Sequence, residues 1–151
     1  MKIRELDGKD IFNVINFLEK CVTEMPKEKQ GFDRNSVEII LAGVIGNREK
    51  EVFILEEKKE IYGIAGISIV SNICNLREMW AYEFIWHSDP ELSKKKRIIV
   101  QWALLKHMDD WAKRKKCKVF CIGANIKNSM GKMLEREGFN YIEKSYAKEL
   151  R

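Results

Sequence analysis

The spacing of hydrophobic and polar residues divides the chain into short strands and amphipathic helices. Runs rich in β-branched or aromatic residues, which are typical of strands, occur at 2–6, 52–55, 61–70, 79–86 and 119–124. Apolar residues that recur every three or four positions predict helices at 11–18, from Asn35 or Ser36 to about Gly46, and at 98–115. A short helix, capped by Asn128 or Ser129 and ended by Gly138, and a last strand at 141–150 complete the pattern.

The resulting element order is β, α, α, β, β, β, α, β, α, β, which predicts one mixed α/β domain over residues 1–151. Its central sheet is expected to be mostly antiparallel, because the charged segment 56–60 reads as a hairpin turn, and helices are expected to flank it. Asp10 is the predicted cap of the first helix. The apolar stripe of the long helix, formed by Trp102, Leu105 and Met108, is predicted to face the core.

Composition narrows the class of protein. The chain has 151 residues, of which 45% are hydrophobic and 34% charged, as in a globular domain with one core. Its longest apolar runs are far below the roughly 18 residues of a membrane span, and its N-terminus lacks an apolar signal segment, so a cytoplasmic protein is expected. The four cysteines and two histidines show no metal-site spacing. We therefore expect reduced, buried thiols and no bound metal.

Positive charge is concentrated in one segment. The net charge of the chain is +5, but residues 94–118 hold ten cations and two acids, a net charge of +8. Four of these cations, Lys94, Lys95, Lys96 and Arg97, follow a Pro90 turn where the long helix begins, the end whose dipole favours anions. The segment therefore predicts an anionic ligand, which is phosphate, nucleic acid or a cofactor. A solvated basic surface is the alternative.

Three features together resemble one known family. They are the strand and helix order, the strand Tyr62-Gly63-Ile64-Ala65-Gly66, and the Asp89-Pro90-Glu91 turn into a long helix. The C-terminal stretch "NSMGKMLEREGFNYIEKSYAKEL" adds a short helix that ends in Gly-Phe, and then a strand that closes with Tyr-x-Lys-x-Leu. The chain resembles the GNAT superfamily of acyl-CoA-dependent N-acetyltransferases over almost its whole length, and it is most similar to the compact, phage-type members.

The resemblance implies acetyl-CoA as co-substrate and a pyrophosphate-binding turn, which here is degenerate. In the family, this turn carries Gln/Arg-x-x-Gly-x-Gly/Ala, and its backbone amides hold the pyrophosphate. The corresponding positions in this chain are Ser93, Lys96 and Ile98, so both glycines are missing. A side chain at either position hinders the close approach of phosphate to the backbone. Our hypothesis is that the four cations of 94–97 compensate with side-chain charge.

The resemblance also implies site residues in the fourth strand and the loop after the fifth. The backbone of Trp86, His87 and Ser88 is expected to bind the pantetheine arm, and Asn125 and Asn128 fall where relatives contact that arm. Either asparagine could equally be a turn or cap residue.

The tyrosine that relatives use as the acid has no counterpart here, because its position is Leu134. Tyr82, Tyr141 and Tyr146 are possible substitutes, or packing aromatics. Glu83, set among apolar residues, is the candidate general base, and His87 is a second candidate. The alternatives are an edge carboxylate for Glu83 and a surface histidine for His87.

The implied function is transfer of an acetyl group from acetyl-CoA to a primary amine by direct attack. The acceptor could be a small molecule, a protein amine or an aminoacylated RNA. Acids in the region of the first two helices, Glu24, Glu28, Asp33 and Glu38, would suit a cationic amine, and the alternative is a solvated helical face. The alternative is a catalytically silent relative whose basic face, 94–118, binds nucleic acid or a protein partner. Either a monomer or a homodimer paired through its last strand is expected.

Overall fold

The computed structural model describes residues 1–22, 31–123 and 130–142. The first half contains β1 (Lys2–Glu5), a 3₁₀ turn (Gly8–Asp10), α1 (Ile11–Val22), α2 (Arg34–Ala42) and β2 (Lys50–Glu57). The second half contains β3 (Glu60–Asn72), β4 (Asn75–Ser88), α3 (Lys94–Arg114), β5 (Val119–Cys121) and α4 (Met130–Arg136). This order confirms the predicted one through α4. The predicted last strand lies mostly outside the described residues.

Within the described residues, one five-stranded sheet forms the centre of the fold, with its strands in chain order. β1 to β4 pair antiparallel and β5 pairs parallel with β4, which confirms the predicted mostly antiparallel, mixed α/β fold. Successive residues of a strand face opposite sides, so β2 and β3 supply two cores. Val52, Ile54 and Ile64 pack with α1 and α2, whereas Phe53 and Ala65 pack with α3. We call these sides of the sheet the α1 side and the α3 side.

Several predicted helix ends are wrong, because side-chain caps rather than apolar residues define them. Asp7, not Asp10, caps the turn before α1, and the Asp10 carboxylate accepts the backbone N–H of Asp7 at 2.9 Å. Asp33 caps α2 one residue before Arg34. Ser93 caps α3, so the four cations of 94–97 form its first turn instead of preceding it.

Two predictions of burial are also wrong. In α3, Leu105 and Met108 are buried, but Trp102 is 44% exposed because the buried face of the helix is centred elsewhere. That face consists of Val100, Leu104, Leu105, Met108, Trp111 and Ala112. Cys21 is buried as predicted, but Cys74 lies exposed in the turn between β3 and β4. In the part of the chain that the structure describes, no helix has both the length and the apolar character of a membrane span.

An ion-pair cluster joins β1, β2 and the turn before α1. Arg4 donates to both oxygens of Asp10 at 2.6 and 2.9 Å, and to both oxygens of Glu56 at 3.0 and 2.9 Å. The three side chains keep 26%, 11% and 23% of their surface exposed. Hydrogen bonds from Arg4 are the main cause that lowers the pKa of Asp10 and of Glu56.

We expect Arg4→Met to lower the free energy of unfolding by about 2 kcal/mol at pH 7, since it leaves two half-buried carboxylates unpaired. Carboxylates with a lowered pKa in the folded state stabilise it above their ordinary pKa, and this stabilisation is lost as the pH falls. The difference between the variant and the unmodified protein should therefore shrink below about pH 4. Urea unfolding of both proteins at pH 7 and pH 3 measures this difference in the free energy of unfolding. Lys9→Met, which removes an exposed ion pair with Asp7, is the control and should change little.

Candidate functional site

β4 and β5 separate at one end of the sheet. They pair only where Trp80, Ala81 and Tyr82 meet Val119, Phe120 and Cys121, whereas β4 continues to Ser88. We call the opening beyond Tyr82 and Cys121 the fork. On its other side, β4 keeps pairing with β3, but a bulge at Phe84 interrupts the register between Glu83 and Ile85. A bulge bends the strand that contains it, and this bulge lies in the part of β4 that borders the fork.

The backbone of β4 is directed into the fork at two residues. The N–H of Asp89 donates to the carbonyl of Tyr62 at 2.9 Å, across the antiparallel ladder of β3 and β4. Because bonded and non-bonded pairs alternate along such a ladder, Trp86 and Ser88 turn their N–H and C=O groups away from β3. No described strand pairs with that side of β4 beyond Tyr82. The Ser88 carbonyl already accepts the Cys21 thiol at 3.8 Å, and Ser88 is only 4% exposed, so the strand edge that a bound ligand could pair with is most open at Trp86.

The two candidate catalytic side chains of β4 lie on opposite sides of the sheet. Glu83 pairs with Ile67, which packs on the α3 side, and His87 pairs with Ile64, which packs on the α1 side. The bulge between them causes this, since one extra residue reverses the alternation. The Glu83 carboxylate accepts the backbone N–H of Gly123 at 3.2 Å, so it spans the fork just beyond β5.

Aromatic side chains cover the α1 side of β4 next to the fork. Trp80 and Tyr82 stack with ring centroids 6.3 Å apart, and Phe84 lies over Gly66 of β3. A Cβ at Gly66 would come within 2.7 Å of the Phe84 ring, so the ring needs a glycine beneath it. Tyr82 and Phe84 are each 38% exposed. We call these three rings the aromatic platform.

The first turn of α3 lies directly after the fork. The Ser93 hydroxyl accepts the N–H of Lys96 at 3.3 Å, and the Ser93 carbonyl accepts that of Arg97 at 2.9 Å. The N–H groups of Lys94 and Lys95 point out of the helix end, as the first amides of any helix do. Both lysine side chains are exposed. The arrangement suits an anion, since dipole, amides and charges act together.

Lys96 and Arg97 contact residues of the neighbouring strands. The Lys96 ammonium lies 4.1 Å from the centre of the Tyr62 ring and 3.9 Å from a carboxylate oxygen of Glu57. The Nε of Arg97 donates to the hydroxyl of Ser88 at 3.4 Å, and Ser88 is only 4% exposed. Of the four cations that were expected to compensate for the missing glycines, Lys96 and Arg97 already contact groups of the fold, and Lys94 and Lys95 are exposed.

A shallow groove between α3 and α4 was not predicted. It has a volume of about 250 Å³ and is lined by Ile98, Ile99, Trp102, Met133, Arg136 and Glu137. The Trp102 indole donates to Glu137 at 2.9 Å, and Lys106 pairs with the same carboxylate at 3.1 Å. Leu134, at the usual tyrosine position, is buried inside α4. The groove could have been suspected from the sequence, because two apolar residues, Ile98 and Ile99, follow directly after a cationic run.

The remaining candidates are dispersed. Asn125, Asn128, Tyr146, Glu24 and Glu28 lie outside the described residues. Tyr141 is 76% exposed, and Asp33 and Glu38 are exposed on α2. Within the basic segment, Lys113 and Lys118 form ion pairs with Asp109 and Glu78. Among the described residues, no three His, Cys, Asp or Glu side chains converge as a metal site would need.

No protein-family model matches the sequence, and no curated protein matches it with significance. Solved structures are similar along nearly the whole chain. A predicted acetyltransferase with acetyl-CoA from Clostridium acetobutylicum is 15% identical, has a TM-score of 0.76, and covers 98% of this chain and 95% of its own.

Two further structures have comparable similarity. A GNAT family acetyltransferase from Staphylococcus aureus is 17% identical, has a TM-score of 0.70, and covers 99% of this chain and 98% of its own. An aminoglycoside acetyltransferase from an uncultured soil metagenomic sample, in complex with sisomicin, is 14% identical, has a TM-score of 0.71, and covers 99% of this chain and 96% of its own. The chain therefore has the fold of the GNAT-family acetyltransferases.

Proposed function

We propose that the protein is an N-acetyltransferase that moves the acetyl group of acetyl-CoA to a primary amine by direct attack. The observation that carries this proposal is the fork, with the backbone of Trp86 and Ser88 directed into it and a cationic helix start directly after it. These residues fit the coenzyme, because an amide-containing arm pairs with a strand edge and a diphosphate is held by helix amides and lysines.

In this proposal each part of the coenzyme has its own contacts. The pantetheine arm lies along β4 at Trp86, His87 and Ser88, with Asn125 and Asn128 as further contacts. The diphosphate lies at the first turn of α3, where Lys94 and Lys95 provide amides and charge and Ser93 keeps the turn closed. The groove at Ile98, Ile99 and Trp102 is apolar and lies next to that turn, so it suits the remaining, aromatic end of the coenzyme.

The acetyl thioester of bound acetyl-CoA supplies the electrophile, and the side chains around the fork manage the protons. Glu83 is the proposed general base, because its carboxylate lies inside the fork and already holds the Gly123 amide. It takes a proton from the ammonium form of the acceptor, and the freed lone pair of the neutral amine then attacks the carbonyl carbon. As the C–S bond breaks, the new amide nitrogen loses one further proton, which balances the proton that the leaving thiolate gains. Tyr82, exposed at the same point of β4, is the proposed donor of a proton to the leaving thiolate.

The acceptor is proposed to be a cationic amine that enters the fork from the α1 side and meets the Glu83 carboxylate inside the fork, since Glu83 reaches across it to Gly123. The aromatic platform lies on that side of the fork, and aromatic faces attract ammonium groups. His87 faces the same side, and the exposed acids Asp33, the cap of α2, and Glu38, within α2, would favour a cationic acceptor. The aminoglycoside in the neighbour that was solved with sisomicin is a polyamine of this kind, which supports the choice of test substrates.

Calorimetric titration with acetyl-CoA, followed by a thiol-release assay with an amine panel that includes aminoglycosides, tests the proposal. We expect saturable, one-to-one binding of acetyl-CoA and release of CoA thiol that depends on an added amine. Failure to bind either acetyl-CoA or CoA would contradict the proposal and would favour a catalytically silent protein. The basic segment would then be titrated with nucleic acid at several salt concentrations.

The double variant Lys94→Ala/Lys95→Ala should bind acetyl-CoA about tenfold more weakly at low salt, because exposed charge pairs contribute up to about 1 kcal/mol each. The deficit should shrink when salt is raised, since salt screens exposed charges. Lys113→Ala/Arg114→Ala, at the other end of α3, removes the same charge and is the matched control. Equal affinities of the two double variants would show that the helix start does not hold the diphosphate.

A further inference from the structure

The turn between β4 and α3 carries two carboxylates close to the proposed diphosphate site. Asp89 accepts the N–H of Glu91 at 2.9 Å through its side chain and the N–H of Leu92 at 3.2 Å through its carbonyl. Ser93, the cap of α3, follows directly. Two negative charges here would repel a diphosphate bound at the helix start, and they oppose the attraction from Lys94 and Lys95.

A lysine from another element is paired with both carboxylates. Lys20, in the last turn of α1, places its ammonium 2.8 Å from Asp89 and 2.7 Å from Glu91. The Asp89 side chain is only 14% exposed, whereas that of Glu91 is 79% exposed. Burial alone would lower the pKa of Lys20, but the bonds to the two carboxylates outweigh it and raise this pKa. Lys20 is therefore charged at neutral pH.

The same end of α1 holds the turn at a second point. The Cys21 thiol is buried and approaches the carbonyl of Ser88 at 3.8 Å, one residue before Asp89. From the opposite direction, Arg97 of α3 donates to the hydroxyl of Ser88. The joint between β4 and α3 is thus held from α1 on one side and from α3 on the other. Lys20 is the member of this set that changes the charge of the turn.

We propose that Lys20 is a positioning residue for acetyl-CoA, which acts by neutralising Asp89 and Glu91 beside the diphosphate. The proposal rests on the proposed function. It requires that Lys20 matter for the phosphate-bearing part of the coenzyme and not for the thioester arm. A lysine in the first helix thereby becomes part of a site otherwise built from β4 and α3.

The test compares the binding of acetyl-CoA with that of S-acetylpantetheine, which has the thioester arm but no phosphate. Lys20→Met should weaken acetyl-CoA binding about fivefold to tenfold and change S-acetylpantetheine binding less than about twofold. Lys20→Arg should bind both ligands like the unmodified protein. Lys113→Met, which removes a lysine paired with Asp109 on the exposed face of α3, is the matched control.

A triple variant, Lys20→Met/Asp89→Asn/Glu91→Gln, separates charge from mechanical support. The amide oxygen of the introduced asparagine would still accept the backbone N–H two residues later, so the turn keeps its bond while both negative charges are gone. We expect acetyl-CoA affinity within about threefold of the unmodified protein.

Three results would overturn the inference. They are equal weakening of both ligands by Lys20→Met, unchanged acetyl-CoA affinity in that variant, and failure of the triple variant to recover affinity. Lack of acetyl-CoA binding by the unmodified protein is a different result, because it overturns the proposed function as well.

Discussion

Glu83→Gln should lower kcat/KM for acetyl transfer by about 10²- to 10³-fold, because an amide cannot take a proton from the attacking amine. The affinity for acetyl-CoA should stay within about twofold of that of the unmodified protein. The reason is geometric: glutamine has the same shape and keeps an oxygen that accepts the Gly123 N–H, which now lies 3.2 Å from the carboxylate. The variant thus removes the base and leaves the contact across the fork.

Acceptors of different basicity make this prediction sharper. An amine that is largely neutral at the assay pH needs no base, so the loss caused by Glu83→Gln should be smallest for weakly basic amines and largest for strongly basic ones. Steady-state kinetics with a graded series of amines measures the trend. Glu51→Gln is the matched control, because Glu51 is also a half-buried strand carboxylate, and burial is the main cause that raises its pKa.

If Glu83→Gln keeps full activity with every amine, the carboxylate only closes the fork through Gly123. The base would then be sought on the α1 side, where His87 lies. The two candidates could not be separated from the sequence, since both sit in one apolar strand at an even spacing. The bulge at Phe84 places them on opposite sides of the sheet, and a bulge depends on the partner strand as well as on local sequence.

Most of the fold could be predicted because buried apolar residues recur along the sequence at the spacing of a helix or a strand. β2 and β3 have both faces covered by helices, so their runs of β-branched residues identified them directly. The start of α3 was missed because residues 94–97 are all charged and so show no repeating apolar position, although lysine and arginine are good helix formers. The Ser93 cap, three residues before the N–H that it accepts, was a local signal that could have located this start.

The site could be predicted only in part, because its contacts join distant elements. The cationic run indicated the helix start, but which cations face outward depends on Tyr62 and Glu57 of the neighbouring hairpin, which engage Lys96. Trp102 fits the spacing of the buried stripe, yet its indole donates to Glu137, directly after α4, at the edge of the groove. Lys20 lies about 70 residues from the carboxylates that it pairs with, so no local pattern could predict that contact.

Gly63 shows how closely the site depends on the core. It lies in β3 on the α3 side, directly beneath the first half of the helix. A Cβ at this position would come within 2.4 Å of Val100, 2.9 Å of Leu104 and 3.2 Å of the His87 carbonyl. Both helix residues are fully buried, so neither has free space into which it could turn. The glycine therefore allows α3 to approach the sheet next to the end of β4.

Gly63→Ala should lower the free energy of unfolding by about 2–3 kcal/mol, since overpacking forces a stiff valine or the whole helix to move. It should also weaken acetyl-CoA binding, because α3 presents Lys94 and Lys95 beside the fork only in its present position. Chemical denaturation and calorimetry measure the two effects. Gly131→Ala is the matched control: a Cβ there meets no atom within 4 Å, and alanine favours a helix by about 1 kcal/mol.

Shortening the opposing side chain separates steric crowding from any other effect of the extra methyl group. Val100→Ala alone should destabilise the protein by leaving a cavity. Combined with Gly63→Ala, it removes the atom nearest to the new Cβ, so the double variant should be more stable than the sum of the two single changes predicts. Additive effects would mean that Val100 does not limit the approach of α3. Recovery of acetyl-CoA affinity in the double variant would show that the distance between helix and sheet positions the first turn of α3 for its ligand.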